Sequence, residues 1–502
     1  MASRALIFEA TGLWAPRRSR LSASTIDGLL MLAAAFALRC WWFGDPVVQV
    51  DEQFYLLVGD RLLHGAVPFV DIWDRKPIGL FLIYAAIRLF GGSGVLEYQL
   101  IACAFAAAAA LFVVRMARLF ASETAARLAG AAALIWFIVF DGEGGQSPIF
   151  YDPIVAAAAM LTFAAYRADS ARRIALAGSG AMALIGLAIQ IKYTVLFEGV
   201  GFGLLLLWSG WRAELRLPKL AGLALLWAGL AVLPTVAALA IYADRGEAAP
   251  FVYANFLSIG HRDAGSVALL AKRLGIILLE ASPLVIAAGI AMRGRFEGEA
   301  ARMRRFMLVW LGAAVAGMLS IGALYTHYTL PVIVPLAIAA APAFDWMIAW
   351  RGRTWRPALA ILLIGCAAGA YLSLVRLHKR GDGSQVRAIA AAIRPRLNGC
   401  LFVFDGEPIL YQMTHACFVS PYVFPSHLND RKEAAAIGAD PVREVARVMD
   451  THPAMIVTSN RPAKSSNRAT WALMQQRLQH GYALVAAVPL NRRIRLVYQR
   501  IA

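Results

Sequence analysis

Charge is scarce in this chain. Only 16% of its 502 residues are Asp, Glu, Lys or Arg, 60% are apolar, and the mean hydropathy is +0.61. A soluble domain covers its surface with far more charge, so most of this apolar surface has to face lipid. Acidic residues are scarcer still, 31 against 49 Lys and Arg, which leaves a formal net charge of +18. That excess does not point to nucleic acid. The chain has no RNA- or DNA-binding motif, and its basic residues fall in short clusters between apolar runs, the pattern that orients membrane proteins. Cysteines number five, too few for a disulfide framework and without metal-ligand spacing. Cys40, Cys103 and Cys366 fall inside apolar runs and read as packing residues, while Cys400 and Cys417 lie beyond them, where a disulfide and two free thiols are both open. Internal repeats are absent. So is a small-x-small cleavage site after the first apolar run, which reads as an uncleaved span, and Arg17 and Arg18 lack the residues that complete a twin-arginine signal.

What the chain does have is a series of apolar runs of about 17–22 residues, roughly eleven in all. They lie near 22–43, 95–114, 125–141, 148–166, 174–191, 193–209, 220–241, 274–292, 306–325, 329–349 and 357–375. With Arg17, Arg18 and Arg20 inside, every second connection is basic. These hold Arg115, Arg118 and Arg127; Arg167, Arg172 and Arg173; Arg212, Arg216 and Lys219; a cluster from Arg293 to Arg305; and Arg351, Arg353 and Arg356. The connections between are poor in Lys and Arg, as the positive-inside rule requires. The expectation is a polytopic α-helical protein of a bacterial inner membrane with a cytoplasmic N-terminus. The loop 44–94, the loop 242–273 and everything after 376 then lie on the outer side.

From 377 onward Asp, Asn, Gln, His and Pro return and the apolar runs shorten to strand length. Segments 401–404, 454–458, 483–488 and 494–498 read as strands, and 442–449 and 471–478 as amphipathic helices. The expected division is a transmembrane domain over 1–376 and a small α/β domain over 377–502 on the periplasmic side.

The first outer loop carries the densest chemistry. Asp51 and Glu52 sit side by side just past the first span, followed by an apolar-striped segment from Phe54 to Leu63, then by Trp73-Asp74-Arg75-Lys76-Pro77 and a second short apolar stretch at 78–90. Both stretches suit helices lying along a membrane surface. Transfer of a sugar from a polyprenyl phosphate needs a carboxylate to take the acceptor's proton, a cation to meet the departing phosphate, and a groove reachable by a lipid tail. Asp51, Lys76 and the two surface helices supply that set. Read without that chemistry, the same carboxylates merely solvate a loop.

The order of these features resembles the GT-C membrane glycosyltransferases, in particular the protein O-mannosyltransferase, aminoarabinose transferase and rhizobial galacturonosyltransferase group (glycosyltransferase family 39-like). The resemblance extends to Ile149-Phe150-Tyr151-Asp152-Pro153, to Tyr325-Thr326-His327-Tyr328, to Asp405-Gly406-Glu407-Pro408 and to Phe424-Pro425-Ser426-His427-Leu428. It implies a catalytic base at Asp51, an adjacent acid at Glu52, a donor-phosphate contact at Lys76 and a second-loop acid shaping the acceptor site at Asp152, with Tyr55 beside the donor. Where some relatives have an acidic residue before that lysine, this chain has Arg75, which adds a cation and weakens any case for a metal there.

Other residues carry two readings each. Lys192 either faces the site or snorkels to the interface. His327 and Tyr328 either contact the donor or support each other, and Arg262 either meets an anionic group or, like His261, belongs to a solvated loop. Asp141 and Glu143, in a Gly-rich loop, read as capping or solvating a turn, and Arg88 and Glu97 as interfacial. The expected function is a glycosyltransferase. It moves a sugar from a polyprenyl-phosphate-sugar donor to an envelope acceptor (lipid A, polysaccharide, another lipid or protein) by inverting single displacement, among membrane lipids. No cofactor is required, because the phosphate leaves readily, and a divalent metal is not indicated. A transporter would show paired halves with ionisable residues at mid-membrane, which this chain lacks, and a non-catalytic scaffold would leave Asp51 and Lys76 unexplained.

Overall fold

The computed structural model describes residues 22–349, 356–490 and 493–501. Arg17, Arg18, Arg20, Arg351 and Arg353, which carry part of the orientation argument, lie outside the described residues. In chain order the membrane part comprises α1 (Ala23–Arg39), α2 (Val50–Leu63), α3 (Ile78–Arg88), α4 (Val95–Ala117), α5 (Glu123–Val139), α6 (Ser147–Arg167) and α7 (Ala171–Ile189). It continues with α8 (Val195–Arg212), α9 (Leu217–Asp244), the short α10 (Ala248–Val252), α11 (Val267–Met292), α12 (Gly298–Ser320), α13 (Leu330–Ala349) and α14 (Arg356–Arg380).

Among the described residues nine helices are long and apolar enough to cross a membrane: α1 with its following turn, α4, α6, α7, α9, α11, α12, α13 and α14. The chain is a multi-pass membrane protein. The two other expected spans are realised as α5 and α8, of 17 and 18 residues. At 1.5 Å per residue each reaches roughly 25 Å. Both run from one end of the bundle to the other. Arg127 at the start of α5 pairs with Asp27 near the start of α1 (2.9 Å), and the Val139 carbonyl at its end accepts from Arg376 of α14 (2.5 Å). Arg212 at the end of α8 donates to the last turn of α6 at the Tyr166 carbonyl (2.6 Å).

Asp27 is fully buried, yet Arg118 (2.6 Å) and Arg127 hold its two oxygens. These contacts and the Arg167–Glu299 pair gather basic connections at one end. Close helix approach rests on small residues, the alanines of α4 and α5 being buried against one another. Proline inside α6, α9, α11 and α13 is accommodated, as neighbouring helices permit in membrane bundles.

At the opposite end α2 and α3 cross tightly. A Cβ on Gly59 would stand 2.6 Å from the Ala85 nitrogen, so only glycine permits this approach. The sequence predicts surface helices with one face in water; α2 is instead buried along Glu52–Gly59. The C-terminal part covers it: Phe54 meets Phe424 with ring centroids 5.2 Å apart, Gln53 donates to Glu407 (2.8 Å), and Arg61 donates to the Ala416 carbonyl (2.7 Å).

That C-terminal part follows α14, which ends at Arg380. Its elements are α15 (Gly383–Ile393), β1 (Leu401–Val403), α16 (Ile409–Thr414), α17 (Pro425–Asn429), α18 (Pro441–Asp450), β2 (Met455–Ser459), α19 (Arg468–Leu478), β3 (Tyr482–Leu490) and β4 (Arg493–Arg500). The sheet order is β1-β2-β4-β3, with β1 parallel to β2 and the other pairs antiparallel. The four expected strands and two expected helices are present; α15, capped by Asp382 and burying Val386, Ile389, Ala390 and Ile393 on one face, and the short α16 and α17 are additional. Cys400 and Cys417 are joined in a disulfide that ties β1 to the chain after α16.

Candidate active site

A cavity of about 570 Å³ opens where the connections at this end converge. Its walls come from the α1–α2 and α2–α3 connections, the loop after α5, the turn between α7 and α8, the segment after α10, the turn before α13, the end of α14 and the chain at 424–433. Asp51, Tyr55, Arg75, Lys76, Lys192, Arg262, His327 and Tyr328 all line it. Residues spread over nearly 280 positions of sequence are thus brought together because each stands at the same end of a span.

Glu52 and Asp152 do not line the cavity. Successive residues on a helix point about 100° apart, so α2 cannot aim Asp51 and Glu52 into one space. Glu52 is fully buried on the other side, facing Gly144, where a Cβ would come within 2.1 Å of its carboxylate. Burial pushes its pKa up to about 8, against the Gly145 amide and the Tyr98 hydroxyl, which favour the charged form. Glu52 is therefore a neutral acid at pH 7. Asp152 is buried in the first turns of α6, within electrostatic reach of Lys192 and Glu198, and its Oδ2 has no hydrogen-bond partner among the described residues.

The cations divide into two groups. Arg75 and Arg262, from different connections, are bridged by Glu433: Arg75 lies 2.5 Å from its Oε2 and Arg262 2.8 Å from its Oε1. Burial alone would raise the Glu433 carboxyl, but the two guanidiniums outweigh it and hold it at about 2. Arg262 is thus no solvated-loop residue. Lys76 and Lys192 have no ion pair among the described residues. Each sits over an aromatic ring instead, Lys76 over Tyr55 (5.2 Å) and Lys192 over Tyr328 (4.6 Å). Lys192 is only 8% exposed, so it faces the cavity rather than snorkelling outward. Burial first, and then the charge of Lys76, lower its pKa to about 7, while Asp51 and Asp152 pull the other way. His327 stacks on Tyr325 and meets Tyr328 edge-on at 4.6 Å, so it both lines the cavity and supports its neighbours.

The reading of Asp141 and Glu143 as solvating a turn is corrected. They are 6% and 2% exposed, and Asp141 adopts a left-handed φ of 62°. Asp141 lines the cavity, pairs with Arg376 (2.7 Å) and Arg380 (3.4 Å), and accepts from Gln49 (3.0 Å) and from the Thr326 hydroxyl. Burial would raise its carboxyl; the two arginines bring it below the usual range. It organises three walls of the site at once.

Sequence reasoning assigned no site role to Asp74, Asn255, Arg380, His427, Lys432 or Glu433, all of which line the cavity. His427 belongs to a motif that carried the resemblance, and it packs edge-on against Trp73 (4.7 Å), where burial lowers its pKa to about 3. Glu433 and Lys432 lie in an irregular polar stretch with no signal to mark them. Among the described residues no group of three or more His, Cys, Asp or Glu side chains is placed to hold a metal ion.

No protein-family model matches the chain, and no curated protein matches it in sequence. Among solved structures it is similar to ArnT from Cupriavidus metallidurans, in a crystal structure bound to undecaprenyl phosphate. The identity is 15% and the TM-score 0.59, over 95% of this chain and 98% of that one. The chain therefore has a GT-C-like fold.

Proposed function

We propose that this protein is an integral membrane glycosyltransferase that moves a sugar from a polyprenyl-phosphate carrier to an acceptor hydroxyl on the outer face of a bacterial inner membrane. The observation that carries the reading is the meeting of Asp51 with Lys76 and Lys192, two cations free of carboxylate partners among the described residues, in one cavity at a bundle end. A similar fold that holds undecaprenyl phosphate supports a lipid of that chemistry as donor.

The acceptor hydroxyl attacks the anomeric carbon as Asp51 takes its proton. The bond from that carbon to the phosphate oxygen breaks on the opposite face, and the electron pair leaves with the phosphate. Lys76 and Lys192 meet the charge that develops there, in a site where low exposure strengthens the attraction. The products are an inverted glycoside and free polyprenyl phosphate. Arg75 and Arg262, both held by Glu433, shape the wall. Asp152 acts through Lys192 as a positioning residue, and Glu52 holds the loop at Gly144. The reaction as proposed draws on no metal.

Purified protein in nanodiscs, given a panel of polyprenyl-phosphate sugars and envelope acceptors, tests this. One donor should be consumed by wild type, with Asp51→Asn reducing turnover by about 10²–10⁴-fold, the usual worth of a general base. Turnover that survives in Asp51→Asn with acceptor present removes Asp51 from the chemistry.

A further inference from the structure

A second cavity of about 360 Å³ lies between the membrane part and the C-terminal part. It shares Val50, Arg380, Ser426 and Asp430 with the first, so the two cavities adjoin each other. Its character is different. No Phe, Tyr, Trp, Ile or Met lines it, whereas Ser426, Asn429, Ser465 and Ser466 do, together with charged groups that largely neutralise one another. Arg495 pairs with Asp405 (2.6 Å) and Glu407 (3.5 Å), and Arg493 pairs with Asp405.

Two buried polar atoms on this wall have no hydrogen-bond partner among the described residues: the Asn429 Oδ1, an acceptor, and the Arg495 Nε, a donor. Both side chains are 8% exposed. Buried polar groups are paired in nearly all folded proteins, so an unpaired donor and an unpaired acceptor on two residues that wall one cleft favour a ligand rich in both. Sugar hydroxyls donate and accept. An acyl chain does neither, and Val47, Val50, Pro425, Ala463 and Leu490 are the apolar residues that the cleft offers it.

Position adds direction. In a single displacement the nucleophile enters opposite the leaving group. Lys76 and Lys192, which meet the phosphate in the proposed reaction, line only the first cavity, as Asp51 does, while Val50 at the start of α2 lines both. We propose that this cleft binds the acceptor, and that the acceptor is a saccharide chain entering from the water side rather than a hydroxyl on a membrane-embedded lipid. The proposal rests on the glycosyltransferase reading and names the substrate class of that same site.

The test uses full-length protein in nanodiscs with the donor found in the panel. Two probes are compared: lipid-free oligosaccharide released from lipopolysaccharide by mild acid, and detergent-dispersed lipid A. Wild type should glycosylate the oligosaccharide. Asn429→Leu and Ser465→Trp should raise its KM by about tenfold, the scale of a lost hydrogen bond or a filled subsite, with the donor KM unchanged as a control for folding. Transfer to lipid A alone, an unchanged acceptor KM in both variants, or a donor KM raised alongside overturns the proposal while leaving the glycosyltransferase reading intact. Should no donor be turned over with any acceptor, that reading fails instead. Saturation-transfer NMR of the oligosaccharide then decides the cleft by itself. A difference signal that vanishes in Ser465→Trp supports it; a signal that persists in that variant, or none with wild type, overturns it.

Discussion

A pH series of sugar transfer, from about pH 5.5 to 9, reads the charge on Lys192, because a lysine carries its proton only below its pKa. That pKa is drawn down to about 7 by burial and by Lys76. Only the ammonium form attracts the donor phosphate, whose own charge is constant across this range. Donor capture, measured as kcat/KM, should therefore be full on the acid side of 7 and halved near 7. Above that it should fall about tenfold per pH unit. The bound phosphate restores an anion beside Lys192 and raises its pKa, so the descending limb in kcat should lie at higher pH than the limb in kcat/KM. Lys76→Met removes a repelling cation. Its rate should be lower throughout, and its kcat/KM limb should move to higher pH. The same displacement is a stability statement. The unfolded chain binds more protons between about 7 and 10.5, so this group costs the free protein on the order of 4 kcal/mol at pH 7, and the cost disappears as pH rises through that window. A kcat/KM profile flat to pH 9, or a limb that moves to lower pH in Lys76→Met, refutes the reasoning.

Glu52 is protonated up to about pH 8, so Glu52→Gln keeps its shape and charge; transfer should stay within about threefold of wild type, and a collapse comparable to Asp51→Asn places Glu52 in the chemistry instead. Glu433→Gln leaves Arg75 and Arg262 buried and facing each other, which should cost about 3 kcal/mol and lower the thermal midpoint in nanodiscs, since breaking one side of a buried pair strands the other charge. The sign in pH follows from a carboxyl held at about 2: the Glu433 contribution is present above its ordinary pKa and is lost as pH falls towards 2. An unchanged midpoint in Glu433→Gln shows that the bridge is not formed. Replacing both Cys400 and Cys417 by serine frees a 17-residue connection and should cost about 3 kcal/mol, seen as faster proteolysis of the C-terminal part with the membrane helices unaffected.

The sequence shows the membrane helices clearly because lipid imposes one length and one polarity on every span, and arginines punctuate their ends. It shows Asp51 and Lys76 together for the same reason: both stand in the first outer loop beside a span end, so parity places them on the same side. It misplaces Glu52 because adjacency in sequence is not adjacency on a helix, and only the packing of the loop at Gly144 and Gly145 decides which of two neighbouring acids turns inward. Lys192 carries two readings in sequence because the ring that holds it, Tyr328, lies far along the chain. Arg75 looks like an additional phosphate ligand; its partner Glu433 lies 358 residues away in a stretch with neither helical nor strand periodicity, where nothing local signals a role.

The Glu433 bridge also changes what the C-terminal part is. Membrane connections supply the chemical groups, yet two of their cations share a carboxylate that arrives after the last span. Gln53, two residues from the proposed base, donates to Glu407, and Arg380 at the root of the C-terminal part contacts Asp141. The Glu433 and Glu407 contacts join polar groups of the membrane part to carboxylates of the C-terminal part. Without the C-terminal part, α2 would expose its buried face and the site would carry two uncompensated guanidiniums beside Lys76 and Lys192. Four cations in one small space repel one another and would bind any anion, lipid phosphate or not. Glu433 removes one unit of that charge and ties Arg75 and Arg262 to itself, which leaves Lys76 and Lys192 as the cations of the membrane connections without a carboxylate partner among the described residues. In the proposed reaction the C-terminal side thus moderates the positive charge that meets the phosphate, while Asp51 comes from the membrane side.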